Sequence, residues 1–123
     1  MAQHNEIGKK GELLAQQYLK KQHYKILQTN YRICNIEIDI IAQIKKTIVF
    51  VEVKTRSSEI FQAPEEAVDT HKQRRITIAS NAYMQQFSEQ YEARFDVIAV
   101  ILSNDNAEIR HTKEAFSPTP TYR

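Results

Sequence analysis

At 123 residues and 14.4 kDa the chain has room for one hydrophobic core of ordinary size and no second domain. Apolar residues make up 41% and charged ones 26%, a balance that excludes an intrinsically disordered chain and fits a soluble globular domain. A formal charge of +2 and a pI near 8.7 are too mild for whole-molecule electrostatics to argue a nucleic-acid partner, so local clustering of cations has to carry any such argument.

From the N-terminus, Asn5 can cap a helix running to about Gln22, with Ile7, Gly11, Leu14 and Tyr18 at the spacing of one buried stripe and Glu12 at its edge. Tyr24 to Arg32 reads as a first strand. Ile36 to Ala42 reads as a second, in which Ile36, Ile38 and Ile40 alternate with Glu37, Asp39 and Ile41, so that two carboxylates share a face. Thr47 to Arg56 is a third strand, with Ile48, Phe50, Glu52, Lys54 and Arg56 on one side and Val49, Val51 and Val53 on the other. After a loop over 57–63, Pro64, Glu65 and Glu66 read as a short helical start with acids suited to its first turn. Thr70 and Gln73 form a capping box for a helix to about Phe87, buried through Ile76, Ala79, Tyr83 and Phe87. Phe95 to Leu102 is nearly all apolar, as in a strand covered on both faces, and Ser103 to Asn106 turns into a short last strand near Glu108 to His111. The order α-β-β-β-α-β-β predicts an α/β fold in a single domain over residues 1–116, with 117–123 a loose tail carrying Pro118 and Pro120.

Cys34 is the only cysteine, which excludes an intrachain disulfide and a thiolate zinc cage and points to a reducing compartment. The longest uninterrupted apolar run, Val97 to Leu102, is far below the roughly 20 residues that span a bilayer, so a cytoplasmic location without a membrane partner is expected.

The chemistry concentrates in the second and third strands. A hairpin turning at Lys45 and Lys46 sets Asp39 opposite Glu52, on a face that Lys54 shares. A shift of one pair keeps the carboxylates together, because only an odd slip sends one of them to the other side. Asp39, Glu52 and a backbone carbonyl such as that of Val53 are hard oxygen donors suited to Mg²⁺ or Mn²⁺. Such an ion would polarise a phosphodiester and acidify a water, with Lys54 orienting that water or meeting the charge that develops on phosphate. Glu12 is a candidate further acid, as a direct ligand or a support. The bland alternative is that an E-x-K strand is simply a solvated face with a weak surface ion pair.

Lys72, Arg74 and Arg75 crowd the first turn of a helix, where cations oppose the positive dipole end, and this unfavourable choice suggests an external anion. With Arg56 they could line a groove for a phosphate backbone, giving affinity without sequence readout; the alternative is again a solvated face. Histidines 4, 23, 71 and 111 lack metal-ligand spacing and read as surface or capping residues. Glu37 either assists Asp39 or pairs with Arg32. Arg94 and Asp96 read as a structural pair.

Four stretches resemble, nearly from end to end, the YraN-like family of small bacterial proteins within the PD-(D/E)XK nuclease superfamily. They are Gly8, Gly11, Glu12 and Ala15 in the first helix; Glu37, Ile38 and Asp39 as an E-I-D strand; Phe50 to Arg56, reading FVEVKTR; and Pro64, Glu66, Ala67, Val68, Lys72 and Arg75 followed by Arg94 to Val97. The resemblance implies a restriction-endonuclease-like mixed sheet flanked by helices, with Asp39, Glu52 and Lys54 as the superfamily's acid, acid and lysine and Glu12 as its first-helix acid. The chain is also similar to archaeal Holliday junction resolvases, which act as dimers. It departs from the family at Ile36 and Gln62, where a Gly is usual, and Asn35 is the neighbour best able to supply the missing bend. The leading expectation is a Mg²⁺- or Mn²⁺-dependent endonuclease acting on DNA, with branched or repair-related DNA suggested by analogy. The competing expectations are a non-catalytic nucleic-acid-binding module with the same fold and a structural role in a larger assembly.

Overall fold

In β3 (Thr47–Ser57), Ile48 and Phe50 alternate with Val49 and Val51, and all four are buried, so this strand has to be covered on both faces. A computed structural model, which describes residues 2–57, 69–88 and 90–117 and side chains from Glu6 on, covers it with one helix on each side. The elements are α1 (Ala2–Lys21), β1 (Lys25–Ile33), β2 (Ile36–Ile44), β3, α2 (Thr70–Met84), β4 (Glu92–Ser103) and β5 (Asn106–Thr112), in the expected order α-β-β-β-α-β-β. The strands lie side by side in chain order as one mixed sheet; β3 and β4 run parallel across α2, and all other neighbours are antiparallel. Among the described residues no helix is long and apolar enough to cross a membrane. The expected helical start at Pro64 to Glu66, Gln62 and the tail over 118–123 lie outside the described residues.

Each face of the sheet carries its own core. On one, Ala15, Leu19 and Tyr24 pack against Ile40, Ala42, Val49, Val51, Ile98 and Val100. On the other, Ile76, Ala79 and Tyr83 of α2 pack against Ile38, Ile41, Ile48, Phe50, Phe95 and Val97. Burial of each large side chain contributes about 1.5–3 kcal/mol, so these two layers dominate stability.

The buried stripe of α1 is displaced from the expected one. Gly11, Ala15 and Leu19 are buried, Leu14 and Tyr18 only half so, and Ile7 is 45% exposed. Small residues bring the helix axis itself down onto the sheet: a Cβ at Gly11 would run into Thr55 Oγ1 and lie 2.9 Å from Thr55 Cγ2. Asn5 falls inside the helix, which starts at Ala2, and so does not cap it. At the other end His23 takes a left-handed φ of 74°, while Tyr24 N donates to Leu19 O at 2.9 Å and His23 N to Lys20 O at 3.0 Å. This is the Schellman closure, with His23 capping and the Tyr24 ring tucked back onto Leu19.

The β1–β2 turn places Cys34 and Asn35 at φ of 56° and 60°, the paired left-handed conformation that matches strand twist in a two-residue hairpin. Asn35 thus supplies the bend expected of it, and Cys34 is exposed. The α2 cap is Asp69, whose carboxylate accepts from Lys72 N at 2.9 Å; Thr70 is the first helical residue and not the cap. An aspartate is the stronger choice there because its charge also meets the dipole end.

His111, expected at the surface, has its side chain only 5% exposed, in a polar knot on the α1 side. Its Nε2 lies 2.7 Å from Asp96 Oδ2 and its Nδ1 2.9 Å from Tyr18 Oη. Asp96 also accepts two hydrogen bonds from Arg94, at 2.8 and 2.9 Å, and one from Glu114 N at 3.1 Å, and Arg94 donates to Tyr24 Oη at 2.7 Å. Burial alone would raise the Asp96 carboxyl, but these donors outweigh it and hold the group below its ordinary value. Arg94 and Asp96 are therefore the structural pair expected, enlarged by three aromatic partners.

Substitutions at two places test the packing. Gly11→Ala should cost about 1–3 kcal/mol in urea unfolding, and Thr55→Ala in the same chain should recover part of that loss. Asp96→Ala should cost about 3–5 kcal/mol, because it leaves the Arg94 guanidinium without its counter-charge.

Candidate active site

The β2–β3 hairpin pairs in the expected register, from Ile44 with Thr47 beside the turn to Ile40 with Val51. The ladder stops there, one position short of Asp39 and Glu52. Beyond its end the Val53 N–H donates to Asp39 Oδ2 at 2.8 Å, so a carboxylate takes the place of the partner strand. Within a strand the N–H and C=O of one residue point to the same side, so the Val53 carbonyl faces the same opening.

The strict alternation expected for β2 fails at Asp39: Ile36 and Ile38 pack under α2, whereas Ile40 and Ala42 pack under α1. Opposite this slip, between the pairs Thr29–Ile40 and Tyr31–Ile38, Asn30 takes a left-handed φ of 46° and its Nδ2 donates to Glu12 Oε1 at 2.9 Å. A polar residue that tolerates this backbone breaks the ladder and at the same time holds the first-helix acid. Glu37 stays apart and meets Arg32 at 3.7 Å on the exposed surface.

Glu52 and Lys54 share the side of β3 on which Phe50 packs under α2. Glu52 is only 13% exposed and is met by Lys72 from the first turn of α2, Nζ to Oε2 at 2.5 Å. An open cleft of about 540 Å³ brings together Glu12, Glu52, Val53, Lys54, Arg56 and Lys72. Asp39 does not line this cleft but is hydrogen bonded to Val53, which does. Among the described residues, a larger opening of about 650 Å³ beside the Ser103–Asn106 turn is lined by Lys10 and Asp105 as its charged groups, too few to assemble a reaction centre. Of the other expected cations, Arg75 Nη2 donates to Asn35 O at 3.4 Å over the hairpin turn and Arg74 is exposed on α2; neither lines the cleft.

Burial and the Glu52 charge push the Asp39 carboxyl up to about 7; the Val53 N–H opposes the rise, Glu12 adds to it, and Lys72 subtracts a little. Burial draws the Lys72 ammonium down, but the hydrogen bond and charge of Glu52 overcome this and leave it raised. A divalent cation beside Asp39 would favour its ionised form against this burial and the Glu52 charge. Asp39, Glu52 and the Val53 carbonyl are oxygen donors of the kind Mg²⁺ and Mn²⁺ take, and these ions keep several waters beside one or two carboxylates. Among the described residues no three acidic, His or Cys side chains gather to hold an ion alone, so the fit is to a partly hydrated ion. Asn30 and the Lys72–Glu52 contact were not anticipated. An asparagine in mid-strand, where it is disfavoured, was the available signal for the first.

The shifted carboxyl has a readable consequence. A folded-state value of about 7 against 3.8 means that the folded protein holds the Asp39 proton more tightly than the unfolded chain, so this contribution to stability is full below pH 3.8 and is lost as pH rises through about 7. In chelator, Asp39→Asn should therefore gain stability over the wild type between pH 5 and pH 8, by something on the order of 2–4 kcal/mol, as read from urea melts at both values.

Comparison with other proteins agrees with the motifs. Residues 11–100 match the family described as "Uncharacterised protein family UPF0102". A UPF0102 protein of Bacteroides thetaiotaomicron is 48% identical over 118 residues, covering 96% of this chain and 98% of its own. UPF0102 proteins of Christiangramia forsetii and Flavobacterium johnsoniae are each 42% identical and cover 94% of this chain and 98% of their own. Identity of this order over nearly the whole length establishes that the chain belongs to the UPF0102, or YraN-like, family.

Proposed function

We propose that this protein is a Mg²⁺- or Mn²⁺-dependent endonuclease that hydrolyses phosphodiester bonds in DNA. The observation that carries the reading is the opening at the end of the β2–β3 ladder, where Asp39, bonded to the Val53 amide, stands behind a cleft lined by Glu52, Val53, Lys54 and Lys72. Asp39, Glu52 and the Val53 carbonyl would hold the ion, with Glu12 supporting them from α1. When bound, the ion supplies Lewis acidity and lowers the pKa of a water. Lys54, fixed on a central strand, orients that water or meets the charge building on the phosphate. Arg56 and Lys72 hold backbone oxygens at the cleft, and Arg74 and Arg75 extend the cationic surface along α2, so affinity should fall steeply with salt and show little sequence preference. No side chain serves as a covalent nucleophile.

The resemblance to junction resolvases favours branched or repair-related DNA and a homodimer, and a chain with Cys34 as its single cysteine suits a reducing, cytoplasmic setting. A second reading, a nucleic-acid-binding module without catalysis, is favoured by one observation: Lys72 already neutralises Glu52.

Incubation of the purified protein with labelled linear, nicked and four-way DNA, with and without Mn²⁺, decides between them. Metal-dependent cleavage that drops more than about 100-fold in both Asp39→Ala and Lys54→Ala is the expected result. Salt-sensitive binding without cleavage of any of these substrates would favour the binding module.

A further inference from the structure

Lys72 occupies an unusual position. It sits in the first turn of α2, where the helix dipole disfavours a cation, yet its backbone is fixed there by the Asp69 cap. Its ammonium lies on Glu52, the more buried partner, at 13% exposure against 48% for the lysine side chain. The same cleft holds Lys54 and Arg56, so the ammonium stands between a carboxylate behind it and a cationic surface suited to phosphate in front. A lysine is a point charge on a flexible stem and can reach either without movement of the helix.

A divalent ion and an ammonium cannot both lie against one carboxylate without strong repulsion. Whichever leaves Glu52 has to find another anion, and a phosphate brought to the cleft is the nearest one the reaction would provide.

We infer that Lys72 is an exchangeable counter-ion: it neutralises Glu52 while the site holds no metal, and a divalent cation displaces it onto a phosphate oxygen of the nucleic acid. The inference rests on the metal site proposed above but not on catalysis. Its consequence is coupling, since the ion frees a hand for the backbone and the backbone keeps that hand from returning, so each tightens the binding of the other.

The test measures binding alone. Calorimetric titration of Mn²⁺ into the full-length chain without DNA should give about 5- to 10-fold tighter binding to Lys72→Met and Lys72→Gln than to wild type, because the competing ammonium is gone. Anisotropy of labelled DNA with Ca²⁺ in place of Mn²⁺ should show the ion tightening DNA binding by a similar factor in wild type and in Lys72→Arg, and by less than about 2-fold in Lys72→Met. Circular dichroism and melting confirm that each variant is folded, and two neutral replacements guard against the failure of one. Mn²⁺ affinity that is unchanged or weaker in both folded neutral variants overturns the exchange. If neither wild type nor variants bind Mn²⁺, the exchange and the metal site fall together. If the exchange is seen and no DNA is cut, only the hydrolase reading fails.

Discussion

Where β2 and β3 part, the Val53 amide would lose its ladder partner inside a half-buried opening, and it is the Asp39 carboxylate that accepts its proton. A backbone donor left unsatisfied in such a place costs about 1–3 kcal/mol, so the aspartate serves the fold before it serves any reaction. The same bond turns the carboxylate into the gap, sets it near Glu52 and leaves the Val53 carbonyl facing the opening. A structural necessity and a reactive geometry are thus a single contact. The burial of the Asp39 carboxylate, with the nearby Glu52 charge added to it, is the cost of that economy.

The two helices close on this opening from opposite sides by different means. α1 approaches through the absence of a side chain at Gly11, which lets its backbone rest on Thr55 and carries Glu12 to the cleft edge. α2 approaches through a long side chain, Lys72, which reaches down to Glu52. One contact is steric and rigid, the other electrostatic and adjustable. Charge rearrangement in the cleft therefore falls on the α2 side, while Glu12 is held by Asn30 in a fixed frame.

Much of this was legible in the chain. The element order, the register of the β2–β3 hairpin, the two-sided burial of β4, the stripe on α2 and the shared side of Glu52 and Lys54 all follow from alternation and turn length, which are local properties. What could not be read is of another kind. The slip at Asp39 depends on Asn30 across the sheet, a neighbour that periodicity within one strand does not reveal. Gly11 stood on the expected α1 stripe and is buried, but the rest of the stripe was displaced because Ala15, whose small size allows close packing, is a weaker hydrophobe than Leu14 or Tyr18. His111 looked like a surface residue because its partners, Asp96 and Tyr18, lie far away in sequence. The cap moved from Thr70 to Asp69 because both residues can cap, and only tertiary context chooses between adjacent candidates.

The knot around Asp96 also bears on the route by which the chain reaches its final form. Tyr18 and His111 are 93 residues apart and Tyr24 and Arg94 are 70 apart, so the first helix and the residues just after it are tied to the sheet by groups that a ribosome delivers long after them. Contacts of such sequence separation carry a large loop-closure entropy and form late. Until β5 is made, a nascent chain would leave Asp96 without the His111 end of its network, so α1 gains its full hold on the sheet only after β5 has emerged. A helix stitched down by a distant strand has its anchorage completed by chemistry that its own neighbourhood in the chain does not contain.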